Sequence, residues 1–289
     1  DFGWSERPSL IRDNELGFRL RPSSVTRLRW ESYDYTVTAN AAGFPGPELP
    51  TAKRSDAFRI MTVGDAFTSA EGVDTDQAWP RHLELKLKTK IASMQGVTET
   101  PRSIDVVNFG ITGFGPNQYA TLVEQHAPKI MPDLIIIGLF TNDYVDVQSS
   151  ATDFQDMVGC DRPRSDSWLA WLTGRHVFRY LRGNVAESIV ERITGEPCSH
   201  TRFFCQCDLF ERDRVESVLV GRDLVRQRFA AIRDVADQIR ADVCVMSIPA
   251  PIQVAPLDQL EYIRPCLELK DEERYDYDQP QRLTQELTV

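Results

Sequence analysis

The sequence has no uninterrupted apolar run approaching the ~18 residues of a membrane-spanning helix. Its opening, Asp1-Phe-Gly-Trp4, carries neither the charged n-region nor the apolar h-region of a secretory leader. It therefore reads as a soluble chain, or as the mature part of an exported one. Basic residues are scarce beside acidic ones, 33 Lys and Arg against 43 Asp and Glu, for a formal charge of −10. Binding to nucleic acid releases counterions only where basic residues cluster, so this balance argues against a nucleic-acid partner. What the chain has in quantity is apolar residues, 42% of 289, enough for one large α/β domain or two small ones.

These residues are arranged in alternating patterns. Arg59 to Val63 is a β-rich run. Asp76-Gln-Ala-Trp-Pro80 then predicts a helix with an Asp cap and a proline in its first turn, and Trp79, Leu83 and Leu87 recur at helical spacing. A second capped helix starts at Asn117 and is expected to end at Pro128. Val225, Phe229, Ile232, Ala236 and Ile239 form a third amphipathic face. A further strand follows over 241–248, in which Cys244, flanked by Val243 and Val245, is expected to be a small core residue. Near-continuous apolar strands separated by helices imply a parallel sheet covered on both faces, an α/β three-layer sandwich. Ligands of such sheets bind at the carboxyl ends of the strands, where the turns after Val63, Phe109 and Phe140 fall.

Between about 147 and 214 the alternation breaks, with Trp168, Trp171, Phe178, Tyr180, Phe203 and Phe204 among many arginines and aspartates. This reads as an insertion at the rim of the strand ends. Its aromatics suit the local core of a helical lid, or a surface for a sugar or an acyl chain. Cys160, Cys198, Cys205 and Cys207 fall in it, and Cys266 lies near the end of the chain. Disulfides within the insertion would imply an oxidising, extracytoplasmic compartment. Cys198-Ser-His200 with Cys205-Gln-Cys207 would otherwise offer metal ligands, although Cys-x-Cys is an uncommon zinc spacing.

Three segments carry a family resemblance. Phe58-Arg-Ile-Met-Thr-Val-Gly-Asp-Ala-Phe-Thr68 is an apolar strand running into a tight Gly64-Asp65 turn. Ile104 to Gly113 is a second strand with Asn108 at its end and a glycine turn, and Asp133 to Asp143 is a third ending in Asn142-Asp143. In order and rough spacing these resemble the first three blocks of the SGNH (GDSL-type) hydrolases. Residues 1–50, with Leu16-Gly-Phe-Arg-Leu-Arg-Pro22 and Asn40-Ala-Ala-Gly-Phe-Pro-Gly46, are similar to the arm preceding the first block in many bacterial members. The resemblance implies a flavodoxin-like sandwich over 51–289 with residues 1–50 packed on it. It also implies hydrolysis of acyl esters of carbohydrates, lipids or small molecules, or acetyl transfer to polysaccharide, without cofactor or metal. By the same resemblance position 66 is the nucleophile, and its amide, the Gly113 amide and the Asn142 side chain form the oxyanion hole. Gly64, Asp65, Asn108 and Asp143 support them.

Two family features are missing. Position 66 is alanine, which has no oxygen to attack with. The family's Asp-x-x-His pair, histidine as base and aspartate as its orienter, has no counterpart: three residues before His82, His126, His176 and His200 stand Trp79, Val123, Thr173 and Pro197. The sequence ends at Leu287-Thr-Val289, where a resembling protein would enter its last strand, so the C-terminal block is expected to be absent. Two accounts of Ala66 stand. It replaces a serine in an esterase or acetyltransferase, or it marks a natural pseudoenzyme that binds a ligand or serves as a structural subunit of an assembly. Simpler roles also stand for the site residues: Asp65 as a turn cap, Gly113 as a positive-φ glycine, and Asn142 as a helix cap.

Overall fold

The computed structural model describes residues 9–29, 33–49, 52–94, 103–148, 207–210, 212–213, 216–254 and 275–287. Nearly all of the proposed insertion, with its aromatics and Cys160, Cys198 and Cys205, lies outside the described residues, as does Cys266. The disulfide and metal readings fall there with it.

The first described residues form two hairpins, β1 (Leu10–Asp13) with β2 (Gly17–Leu20) and β3 (Val25–Arg29) with β4 (Asp34–Thr38). The first turns tightly because Asp13 Oδ1 accepts from the amides of Glu15 and Leu16, both at 3.0 Å. Phe18 lies 5.2 Å from Phe114 and Phe44 lies 4.6 Å from Phe109, ring centre to ring centre. These rings bury the hairpins' apolar residues against the turns that follow the second strand of the main sheet.

That sheet has four parallel strands, β5 (Ala57–Gly64), β6 (Ser103–Asn108), β7 (Leu134–Leu139) and β8 (Asp242–Ser247), in the order β6-β5-β7-β8. The chain is therefore α/β with a central parallel sheet, as the alternation of apolar strands and helices predicts. After β5 come the short α1 (Ala66–Ser69) and then α2 (Trp79–Ser93), which leads to β6; α3 (Pro116–Ile130) leads on to β7. After β7 come α4 (Asp143–Asp146) and α5 (Glu216–Ile239), which returns to β8. The step from β5 to β6 and the steps from β6 to β7 and β7 to β8 run in opposite directions along the sheet. Right-handed crossovers then put α2 on one face and α3 with α5 on the other, and α3 and α5 do pack together. Val225, Phe229, Ile232 and Ala236 supply the buried side of α5. Two short helices complete the described chain, α6 (Pro251–Val254) and α7 (Gln279–Leu287). The contacts divide the chain into two units, one of residues 1–161, 216–249 and 281–289, the other of 162–215 and 250–280. Within the second, the Asp276 amide donates to the Phe210 carbonyl at 2.7 Å.

Three local expectations are corrected. Asp76 lies in a 3-10 turn, Thr75–Gln77, and α2 starts from Ala78 without a side-chain cap, because Pro80 sets the first turn by itself. Pro128 lies inside α3, which continues to Ile130. The proline forfeits one bond to the carbonyl of the exposed Glu124, a small loss beside the burial of Ala127 and Ile130 on either side. Cys244 is exposed, not core, since among the described residues no strand lies beyond β8, which shows little burial along its length.

Candidate active site

β5 and β7 are neighbours whose connections leave toward opposite faces, and in open α/β sheets that switch point, at the carboxyl ends of the strands, is where ligands generally bind. At the end of β5 the chain turns directly into α1. Asp65 caps this helix, its Oδ1 accepting from the Phe67 amide at 3.0 Å. The turn fits because of what is absent from its neighbours. A Cβ at Gly64 would stand 2.0 Å from Thr68 Oγ1, one at Gly138 would stand 2.6 Å from the same atom, and one at Gly110 would stand 2.6 Å from Thr68 Cβ. Thr68 is thus seated among three glycines at the ends of β5, β6 and β7, and α1 lies directly on the strand backbones. Asn108 ties it down: its Nδ2 donates to the Thr68 carbonyl at 2.9 Å, and its Oδ1 accepts from the Gly110 amide at 2.8 Å.

Ala66 opens α1, half-buried, and its amide has no partner among the described residues. Gly113 has φ +85 and is the third residue of a turn closed by the Phe114 amide on the Ile111 carbonyl at 3.0 Å. This turn type demands a positive φ at that place, so the glycine has a backbone reason to be there. Its own amide takes no part in the turn and likewise has no partner among the described residues. The two loops meet through the Ser69 and Thr112 hydroxyls, 3.0 Å apart. Phe67, next to Ala66, stacks on Phe140 at 4.4 Å and links α1 to the turn before Asn142.

Asn142 occupies the cap position of α4, but its side chain makes no cap bond. Its Nδ2 donates instead to Asp146 Oδ2 at 2.7 Å, and its Oδ1 is buried without a partner among the described residues. Asp143 is fully buried, accepting from the Phe140 amide and from the Tyr119 hydroxyl, both at 2.9 Å. It therefore supports the turn that presents Asn142. Asp65, Asp143 and Asp146 are three buried carboxyls that feel one another's charge. Burial raises Asp65 to about 7, against the opposing hydrogen bonds from the Phe67 and Asp65 amides. Burial and the nearby Asp65 raise Asp146 to about 7, and burial with both other aspartates lifts Asp143 well above the usual carboxylate range. Near neutral pH such groups hold protons for much of the time; Asp146 accepts from the Asn142 amide in either state, and more strongly when ionised. Asp146 had a signal in the sequence, four residues after Asn142 on the same helical face; Tyr119 and Thr68 had none. His126 lies against Phe44 and Phe109 at 5.2 and 4.9 Å, its pKa lowered to about 4 by burial and by Lys129, and is a packing residue.

The strands and turns that build this site fall within residues 60–159, which match the family described as GDSL-like Lipase/Acylhydrolase. That region is GDSL-like. Among solved structures the chain is similar to TesA, at 15% identity over 75% of each chain with a TM-score of 0.34. It is also similar to the psychrotrophic esterase EstA from Pseudoalteromonas sp., at 10% identity over 79% of this chain and 73% of that one, TM-score 0.33. AlinE4, an SGNH-hydrolase family esterase, follows at 13% identity over 66% and 77%, TM-score 0.26. A comparison with curated proteins gives no match. Within the GDSL-like region the turns bearing Ala66, Gly113 and Asn142 end three adjacent strands.

Proposed function

We propose that this chain keeps an acyl-ester site of the GDSL-like kind and, with alanine at position 66, recognises the ester carbonyl without turning it over. The observation that carries this reading is the opening of α1: a strand-end turn capped by Asp65 offers the Ala66 and Gly113 amides unpaired, as an oxyanion hole requires. The Asn142 amide is the third donor, held by Asp146. A serine at position 66 would attack the carbonyl and these donors would stabilise the tetrahedral oxyanion. Alanine leaves only the donors. Removing the serine of another triad hydrolase costs about a million-fold in turnover. The ligand class is a small-molecule or carbohydrate acyl ester. The missing hydroxyl also favours a second reading, in which the site is vestigial and the fold serves as a structural subunit of an assembly.

Turnover of p-nitrophenyl acetate separates these readings. The unaltered chain is expected to match the buffer rate. Ala66→Ser alone gains little, having no base in the family's position, but Ala66→Ser with added imidazole as the outside base should run at least about tenfold faster than the same imidazole with the unaltered chain. If it only matches that imidazole rate while its circular dichroism is unchanged, the acyl-ester reading falls and the assembly reading stands. Ordinary enzymatic turnover by the unaltered chain would show that the nucleophile lies elsewhere.

A further inference from the structure

A groove of about 670 Å³ runs beside β6, away from the strand-end site. Its floor is the stretch from Asp105 to Asn108, and its walls come from β4, the loop at 45–49, the 3-10 turn at Asp74–Asp76 and the first turns of α2. β6 ends the sheet order, so one side of it has no strand beside it among the described residues. Ser103 and Phe109 donate their amides to the carbonyls of Asp56 and Thr62 on the β5 side. In a parallel strand the direction alternates residue by residue, so Ile104, Val106 and Asn108 turn their main-chain N–H and C=O away from β5. None of those groups has a backbone partner among the described residues. Six residues of strand present a row of roughly 20 Å, long enough for a short extended peptide.

The walls are acidic. Glu84 has its own cations in Arg81 and Lys88, and Asp105 is paired with the buried Arg59 at 3.0 Å. Glu48 and Asp74 accept only from the neutral amides of Ala41 and Thr36, and Asp76 is exposed without an ion pair among the described residues. Arg27, which feels the charge of Asp74, is already committed to Asp34 at 2.6 Å. The groove therefore carries surplus negative charge around an unpaired strand edge.

We propose that this groove takes an extended basic segment of another protein, added to β6 as a further strand. Its main chain pairs with Ile104, Val106 and Asn108, and its lysine or arginine side chains reach Glu48, Asp74 and Asp76. Main-chain pairing gives affinity and the acidic walls give selectivity. A second copy of this chain, itself at −10, would bring like charge to the groove.

The test uses a fluorescein-labelled Lys-Val-Lys-Val-Lys-Val peptide and fluorescence anisotropy. It should bind, and bind at least about tenfold more weakly at high salt, because exposed charges are screened. The Glu-Val counterpart and a backbone N-methylated Lys-Val peptide should not bind. Val106→Pro removes an outward N–H while sparing the ladder to β5 and should weaken binding about tenfold. Asp76→Lys, at an exposed position that does not threaten folding, should weaken it severalfold. The proposal is overturned if the lysine peptide fails to bind the unaltered chain, or if the glutamate or N-methylated peptide binds as well as it does. It is also overturned if sedimentation shows a dimer that Val106→Pro dissolves, which would make a second copy the occupant.

Discussion

Two acidic regions of this chain, the carboxyls at the strand ends and those along β6, have the same side chains and opposite physics. Asp65, Asp143 and Asp146 are buried with no cation beside them among the described residues, and the cost of charge in a low-dielectric site shifts them toward the protonated form. Glu48, Asp74 and Asp76 stand in or near water and line the groove as acidic side chains, so they give it a field. The contrast teaches that an aspartate is a hydrogen-bonding wedge or a charge according to the packing around it. It extends to the glycines. At the strand ends glycine makes room for Thr68, whereas Gly46 in the groove has φ +100, and a methyl added there would meet nothing within 4 Å.

The largest expected effect is at Gly64. Gly64→Ala drives a methyl into Thr68 and should destabilise the fold by about 3 kcal/mol, near the upper end for overpacked sites, read as a lowered melting temperature. Adding Thr68→Ala should recover part of that loss. Gly46→Ala should cost only about 1 kcal/mol, from its positive φ, and Thr68→Ala should not rescue it. Equal losses at both glycines would erase the contrast.

Next is pH. Asp65 and Asp146, at about 7 when folded, hold protons that the unfolded chain releases near the ordinary aspartate value of 3.8. The folded state therefore binds more protons between those values, and stability falls as pH rises through that window. Asp143, raised by burial and by the other two aspartates, adds to the same trend. His126 works the other way: neutral when folded down to about 4, it reduces stability as pH falls below the ordinary histidine value of 6.5. Urea denaturation across the range should show a gentler fall in Asp146→Asn than in the unaltered chain. A steeper fall in Asp146→Asn would mean that the strand-end carboxyls are ionised in the folded protein.

The smallest effect sharpens the picture at Thr68, whose buried hydroxyl has no partner among the described residues. Thr68→Val keeps the shape and removes the orphaned group, so stability should change by less than about 1 kcal/mol, toward the stabilised side. A clear loss would show that the hydroxyl does bind something.

Much of the architecture was legible because it follows from short-range pattern. The runs around Arg59–Val63 and Leu134–Phe140 read as parallel core strands and pair as such, Ile60 opposite Leu134. Gly64-Asp65 and the glycine at 113 were readable as turns because turn chemistry is local. The misreadings have the opposite character. The fate of Pro128 depended on how much of α3 was buried around it, and that of Cys244 on β8 being the last described strand of the sheet.

The sequence by itself therefore determined the strand and helix alternation, the three strand-end turns and the absence of a hydroxyl at position 66, since each depends on residues within a few positions of one another. Tertiary structure alone decided which side chains meet there. Tyr119 reaches Asp143 across 24 residues and Asn108 reaches Thr68 across 40, distances over which no periodicity in the sequence carries information. It also decided which carboxyls keep their protons, because desolvation is set by neighbours that only folding assembles.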